Sequence, residues 1–177
     1  MSDKHVVMVV DMQNGVFETP RREQQECVSQ VNRLIRAADR VIFIQHIEEG
    51  GLEEGSHGFA LLPDLEQPSG ALYVTKTACD AFYKTELERV LAENDISAFV
   101  MCGCATDYCV DTTLKVGASK GYQITVAEDA HTTANRPAAE AATLIAHYNE
   151  VWRTLTVPGN PVSVKPVDTI VTQWHTN

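Results

Sequence analysis

The chain has 177 residues, enough for one domain spanning 1–177 with a substantial buried core. Its 44% apolar and 21% charged residues are ordinary globular usage. A formal net charge of −10 argues against nucleic acid as a partner, because phosphate binding needs clustered Lys and Arg. No stretch approaches the roughly 20 apolar residues of a membrane span, so no membrane partner is expected. The run before Asp11 is too short for a secretory signal, which makes a cytoplasmic location the expectation. Cys27, Cys79, Cys102, Cys104 and Cys109 are an odd set of five, and without a secretory signal they read as free thiols.

Residues 6–11 (VVMVVD) form a β-branched run expected of a strand covered on both faces. Residues 23–39 carry Cys27, Val31, Leu34, Ile35 and Ala38 at helical spacing. A second strand is predicted over 41–47, followed by a long loop of Gly, Glu and Pro over 48–68. Residues 72–75 predict a short strand ending at Lys76. Thr85 and Glu88 suggest a capping box for the next helix, with Leu87, Val90 and Leu91 as its buried stripe. Residues 98–102 predict a strand broken by Gly103, and Thr106 opens a helix closed by Gly121. Another strand is expected over 122–127, a helix beginning near Pro137, and a last strand over 151–157. This alternation implies right-handed β-α-β crossovers and a three-layer α/β/α fold, doubly wound, around a mostly parallel sheet. The tail, 158–177, contains Trp174 and is expected at an oligomer interface.

In such sheets ligands bind beyond the carboxyl ends of the strands. Asp11, Lys76 and the Gly103 loop leading to Cys109 all stand there, so a carboxylate, an amine and a thiol are expected to meet. Singly, Asp11 reads as a turn residue or cap and Lys76 as a solvated charge. Cys109 is more informative, because Thr106 as N-cap would put it in the first helical turn. There the free N–H groups and the helix dipole favour a thiolate, below the usual thiol pKa of roughly 8.5. Lys76 would act in the same direction, and Asp11 could accept the proton.

The segment Gly103-Cys104-Ala105-Thr106-Asp107-Tyr108-Cys109-Val110 resembles the nucleophile signature of the isochorismatase-like cysteine hydrolases. Asp11-Met12-Gln13-Asn14 resembles the first motif of that superfamily, which includes nicotinamidases and N-carbamoylsarcosine amidases. Thr75-Lys76-Thr77 with Ala81, Phe82 and Thr85 resembles its lysine motif, and Glu128-Asp129-Ala130 a further segment. Order and spacing agree over roughly residues 6–150. The resemblance implies Asp11 as general base, Lys76 as the group that supports the thiolate, and Cys109 as nucleophile. It also implies a cis peptide between Cys104 and Ala105, and an oxyanion hole from the backbone N–H groups of Ala105 and Cys109. The expected chemistry is C–N hydrolysis of a small amide, ureido or imide substrate through a thioester, in a homo-oligomer. The alternatives are a non-catalytic α/β binding protein and, remotely, an aspartyl phosphatase or dehalogenase. The latter usually needs a second Asp where Gln13 stands.

The chain departs from nicotinamidases at Gln45-His46-Ile47-Glu48, which lacks the Asp of their Asp-x-His metal motif. His46 and His57, with Glu48, Glu53 and Glu54, are too scattered to predict a metal, so no metal and no cofactor are expected. Cys102-Gly103-Cys104 does not match zinc spacing, and both cysteines read as packing residues. Phe82, His57, His131 and Cys79 are candidates for the substrate pocket.

Overall fold

The computed structural model describes residues 5–176. Six strands form one sheet: β1 (Val6–Val10), β2 (Arg40–His46), β3 (Leu72–Lys76), β4 (Ala98–Cys104), β5 (Gln123–Thr132) and β6 (Ser163–Lys165). Their order is β3-β2-β1-β4-β5-β6 and every neighbouring pair is parallel. This is the doubly wound arrangement, with the strand order reversing between β1 and β4.

The continuous apolar run of β1 serves both faces. Val7 and Val9 join one core, packed by α1 (Gln24–Ala37) and α5 (Val167–Thr176). Val6, Met8 and Val10 join the other, packed by α2 (Leu87–Glu93), α3 (Asp111–Ser119) and α4 (Ala141–Arg153). A strand buried on both sides cannot alternate apolar with polar residues, which explains its composition.

Several expectations about the elements need correction. Residues 151–157 are not a strand: α4 runs on through Trp152, which is fully buried, and the last strand is β6. The tail is part of this protomer's own core. Val167 and Ile170 of α5 are buried, Trp174 packs on the same cluster, and Trp174 stacks on His5 at 5.1 Å. Its final residue, Asn177, lies outside the described residues. Thr85 does receive the Leu87 N–H, but Glu88 pairs with Lys120 instead of closing a capping box. Pro137 precedes α4 by four residues, in a short loop where Asn135 caps the Ala141 N–H.

Gly103 does not break β4. It pairs with Val10 in the ladder at φ 117°, and a Cβ there would stand 2.2 Å from the Val10 carbonyl oxygen. Only glycine permits both the backbone angle and so close an approach. Residues 48–68 are the expected long loop. It is tied down along its return leg, where Asn14, Gly15 and Leu62 exchange backbone hydrogen bonds with Ala60, Gly58 and Met12. Gly121, at φ 96°, follows the end of α3 as expected.

Candidate active site

The switch point between β1 and β4 brings four strand ends together. Asp11 follows β1 at φ 48°, a left-handed conformation that Asp tolerates better than most residues, and its N–H still bonds to Ile44 of β2. His46 ends β2 and is in register with Lys76, which ends β3. After β4 the Cys104–Ala105 peptide is cis. The chain then enters a π-helical turn, Thr106–Val110, that continues into α3. The Val110 N–H bonds back five residues to Ala105, so Cys109 lies inside this widened first turn.

Asp11, Lys76 and Cys109 meet. Lys76 Nζ is 2.9 Å from Asp11 Oδ2 and donates to Cys109 Sγ at 3.2 Å. It also bonds to the Ala78 carbonyl at 3.0 Å and lies 2.9 Å from His46 Nδ1. The Lys76 and Asp11 side chains are 0% and 3% exposed, so this ion pair is withdrawn from water. Asp11 Oδ1 is buried and has no hydrogen-bond partner among the described residues.

The electrostatics differ from the expected low-pKa thiol. Burial raises the Cys109 pKa well above its ordinary value, the Asp11 carboxylate raises it further, and Lys76 offsets only part of this. In the resting site the sulfur therefore keeps its proton beside the Asp11–Lys76 pair. Burial pulls Lys76 down, but Asp11 outweighs it and the pKa ends above the ordinary lysine value. Burial and the adjacent ammonium lower His46, while Asp11 and Glu48 oppose them.

Thr106 does not cap the turn. Its hydroxyl lies 2.8 Å from His131 Nδ1, and His131 Nε2 lies 2.9 Å from Asn149 Oδ1. Asn149 in turn donates to the Glu128 carbonyl. Two ring nitrogens between a hydroxyl and an amide oxygen fix the tautomer. Nε2 donates to Asn149, and Nδ1 accepts from Thr106. His131 is buried under the turn and stacks edge-on against Trp152. It anchors the turn from below, and it borders a cavity of about 410 Å³ between α1 and α4 that none of Asp11, Lys76 or Cys109 lines.

The other pocket candidates also separate. Phe82 is a core residue stacked on Tyr122 at 5.5 Å, with its ring edge against Gly117. His57 lines a cavity of about 570 Å³ between α1 and the long loop, together with Asn14, Phe17, Asn32 and Arg36. None of Asp11, Lys76 or Cys109 lines that cavity. Cys79 is half-buried on the loop after Lys76, and its carbonyl is held by the Thr113 hydroxyl. Side-chain direction decides what each of these residues lines.

Among the described residues, one group of three or more potential metal donors converges: Asp11, His46 and Cys109, with donor atoms within 4.8 Å of one another. Lys76 Nζ stands within 3.2 Å of all three residues. The set thus already surrounds a fixed cation of the chain and does not fit a resident metal ion. Glu53 is used locally, accepting the Gly50 and Gly51 N–H groups.

Two residues deserved more weight from the sequence. His46 stands at a strand end, where the switch-point rule would have placed it in the site. Gln13 is fully buried and clamps His46 from both sides, accepting its N–H at 2.7 Å and donating to its carbonyl at 2.9 Å. In the sequence Gln13 shows only as a member of the Asp11-Met12-Gln13-Asn14 motif and as the residue where a second Asp would stand.

The Isochorismatase domain family matches residues 5–155. The chain is 25% identical over 138 residues to the isochorismatase family protein YddQ of Bacillus subtilis (strain 168), covering 72% of this chain and 77% of that one. It is 31% identical over 93 residues to the ureidoacrylate amidohydrolase RutB of Yersinia enterocolitica, covering 52% of this chain and 40% of that one. A cysteine hydrolase from Pseudomonas syringae pv. phaseolicola 1448A shares the fold, with a TM-score of 0.88 at 20% identity over 98% of this chain and 93% of that one.

Proposed function

The chain belongs to the isochorismatase family, and from that premise we propose that it hydrolyses a carbon–nitrogen bond of a small amide, ureide or imide through a thioester on Cys109. The observation that carries this reading is the contact of buried Asp11 and Lys76 with half-buried Cys109, one Asp11 oxygen having no hydrogen-bond partner among the described residues. The likeness to RutB, whose name describes an amidohydrolase, supports the C–N assignment.

A raised thiol pKa means that the thiolate forms only as its proton leaves for a nearby base. Asp11 Oδ1 takes that proton while the sulfur attacks the substrate carbonyl carbon. Lys76 keeps the total charge near zero as the negative charge moves from carboxylate to sulfur. The tetrahedral oxyanion is held by the backbone N–H groups of Ala105 and Cys109. The C–N bond then breaks, and Asp11 returns the proton to the departing nitrogen, leaving a thioester. Water attacks the thioester, Asp11 accepts one of its protons, and the acid product departs as that proton returns to the sulfur.

The test combines labelling with turnover. Iodoacetamide labelling read by mass spectrometry should mark Cys109, and the mark should be lost in Cys109→Ala. A panel of small amides, ureides and imides should then give an acyl adduct on Cys109 by mass spectrometry, with release of ammonia or amine. If no panel member acylates Cys109, the hydrolase reading fails and a binding protein on the same fold gains. Location in the cytoplasm and assembly into a homo-oligomer belong to the same proposal. Among the described residues no helix is long and apolar enough to cross a membrane.

A further inference from the structure

An ammonium group carries three N–H donors and no acceptor. Lys76 Nζ has four acceptors within reach: Asp11 Oδ2 and His46 Nδ1 at 2.9 Å, the Ala78 carbonyl at 3.0 Å and Cys109 Sγ at 3.2 Å. One of the four must always go without. While the sulfur keeps its proton it is the poorest acceptor of the set. Once the proton has moved to Asp11 and the sulfur is an anion, it becomes the best, and one of the others must release its N–H.

We propose that His46 is a positioning residue whose bare Nδ1 holds the Lys76 ammonium between Asp11 and Cys109 and yields that hydrogen bond when the thiolate forms. This deepens the hydrolase reading and rests on it. His46 is suited to yielding because its side chain is 16% exposed, so water can replace the lost donor. The Ala78 carbonyl belongs to a loop pinned by Thr113, which donates to the Cys79 carbonyl and accepts the Ala81 N–H. Gln13 fixes the His46 backbone on both sides, so the exchange needs only a small movement of the ring and of Nζ.

The tautomer follows from the neighbours. Lys76 can only donate, so Nδ1 is unprotonated and the ring proton sits on Nε2, 4.0 Å from Glu48 Oε2. The groups facing the ring are Lys76 from β3, Asp11 after β1, Cys109 from the turn after β4, and Glu48 on its own strand's continuation. Protonating Nδ1 would set a second cation against the ammonium. It would drive Lys76 from its place and turn Asp11 toward the imidazolium, away from the thiol.

The experiment follows iodoacetamide labelling of Cys109 from pH 5 to 8 in wild type, His46→Asn and His46→Phe. Alongside it, ¹⁵N NMR of the wild-type histidines reads the His46 tautomer without any substitution. Asn keeps an acceptor near Nδ1 but cannot be protonated; Phe keeps a ring without the acceptor. Protonation of the thiol slows labelling toward acid in every variant, but wild type should fall more steeply than His46→Asn at the acid end, where His46 takes its second proton. At pH 7, His46→Asn should stay near the wild-type rate while His46→Phe drops roughly 10-fold, as for losing one hydrogen bond to a charged group. NMR should show Nδ1 bare and Nε2 protonated. His46→Phe labelling with the wild-type rate and profile, or a proton on Nδ1, would overturn the proposal. Failure of every small amide, ureide and imide to acylate Cys109 overturns the hydrolase reading instead, and the NMR tautomer then decides His46 by itself.

Discussion

Two polar clusters lie on either side of the Cys109 turn, and both are removed from water. On one side Lys76 and Asp11 are 0% and 3% exposed and 2.9 Å apart. On the other, His131 is 4% exposed between Thr106 and Asn149. Burial penalises charge in both places. Lys76 keeps its charge because a carboxylate faces it at hydrogen-bond distance. Burial lowers His131 to a pKa of about 4, because its bonding partners are neutral and the Asn149 bond and the Asp129 charge compensate only in part. The charged cluster is poised to move a proton; the neutral one can only hold its shape. The same desolvation thus gives a reactive site where partners are charged and a structural strut where they are not.

The sharpest way to break this comparison is to remove its reactive atom. Cys109→Ala should abolish formation of the acyl adduct and lower turnover by roughly 10³-fold or more, with the melting temperature nearly unchanged. Turnover that survives the substitution would move the chemistry elsewhere.

Next comes the ion pair. Asp11→Asn leaves the Lys76 ammonium buried without its counter-charge and should cost about 3–5 kcal/mol in urea unfolding. The double variant Asp11→Asn/Lys76→Met should recover much of that stability while remaining inactive. A double variant as unstable as the single one would show that packing, not the stranded charge, sets the cost.

The neutral cluster is read through pH. His131 binds its proton in the unfolded chain near pH 6.5 but in the folded chain only near pH 4. Between those values the unfolded state holds more protons, so stability falls as pH is lowered, by about 3 kcal/mol across the window. It is fully present above pH 6.5. Stability curves measured from pH 7 to 4 should lose this slope in His131→Gln; an unchanged slope would assign it to other groups.

The smallest effect belongs to the hydroxyl that ties the strut to the turn. Thr106→Val should cost about 1 kcal/mol and slow Cys109 labelling without altering its pH profile, while Thr106→Ser stays close to wild type. A shifted pH profile in Thr106→Val would mean that the two clusters are electrically coupled.

Much of this molecule was legible in its sequence. The unbroken runs of β1, β2 and β4 carry their own evidence of burial on both faces, and alternation with helices dictates parallel connections. Asp11 and Lys76 could be placed because strand ends are visible as polar residues closing apolar runs. Residues 151–157 misled for the same kind of reason. Val151, Leu155 and Val157 are β-prone, but Trp152 is buried by the helix side it presents to the sheet, and tertiary burial outweighs local propensity. An apolar segment such as the tail does not announce in its sequence which surface will cover it. Here the covering surface is this protomer's own core beside α1.

What sequence alone determined, then, is the order of elements up to α4, the doubly wound class and the chemical identity of the groups at the strand ends. Tertiary structure decided the rest. It set the register that seats Lys76 beside His46 and the close approach of Gly103 to Val10. It turned His131 inward and Phe82 into the core, and it buried the thiol against a carboxylate so that its pKa rises instead of falling. Residue type fixes which proton can move, but the balance of desolvation and neighbouring charge that decides where it rests exists only after distant strands have met.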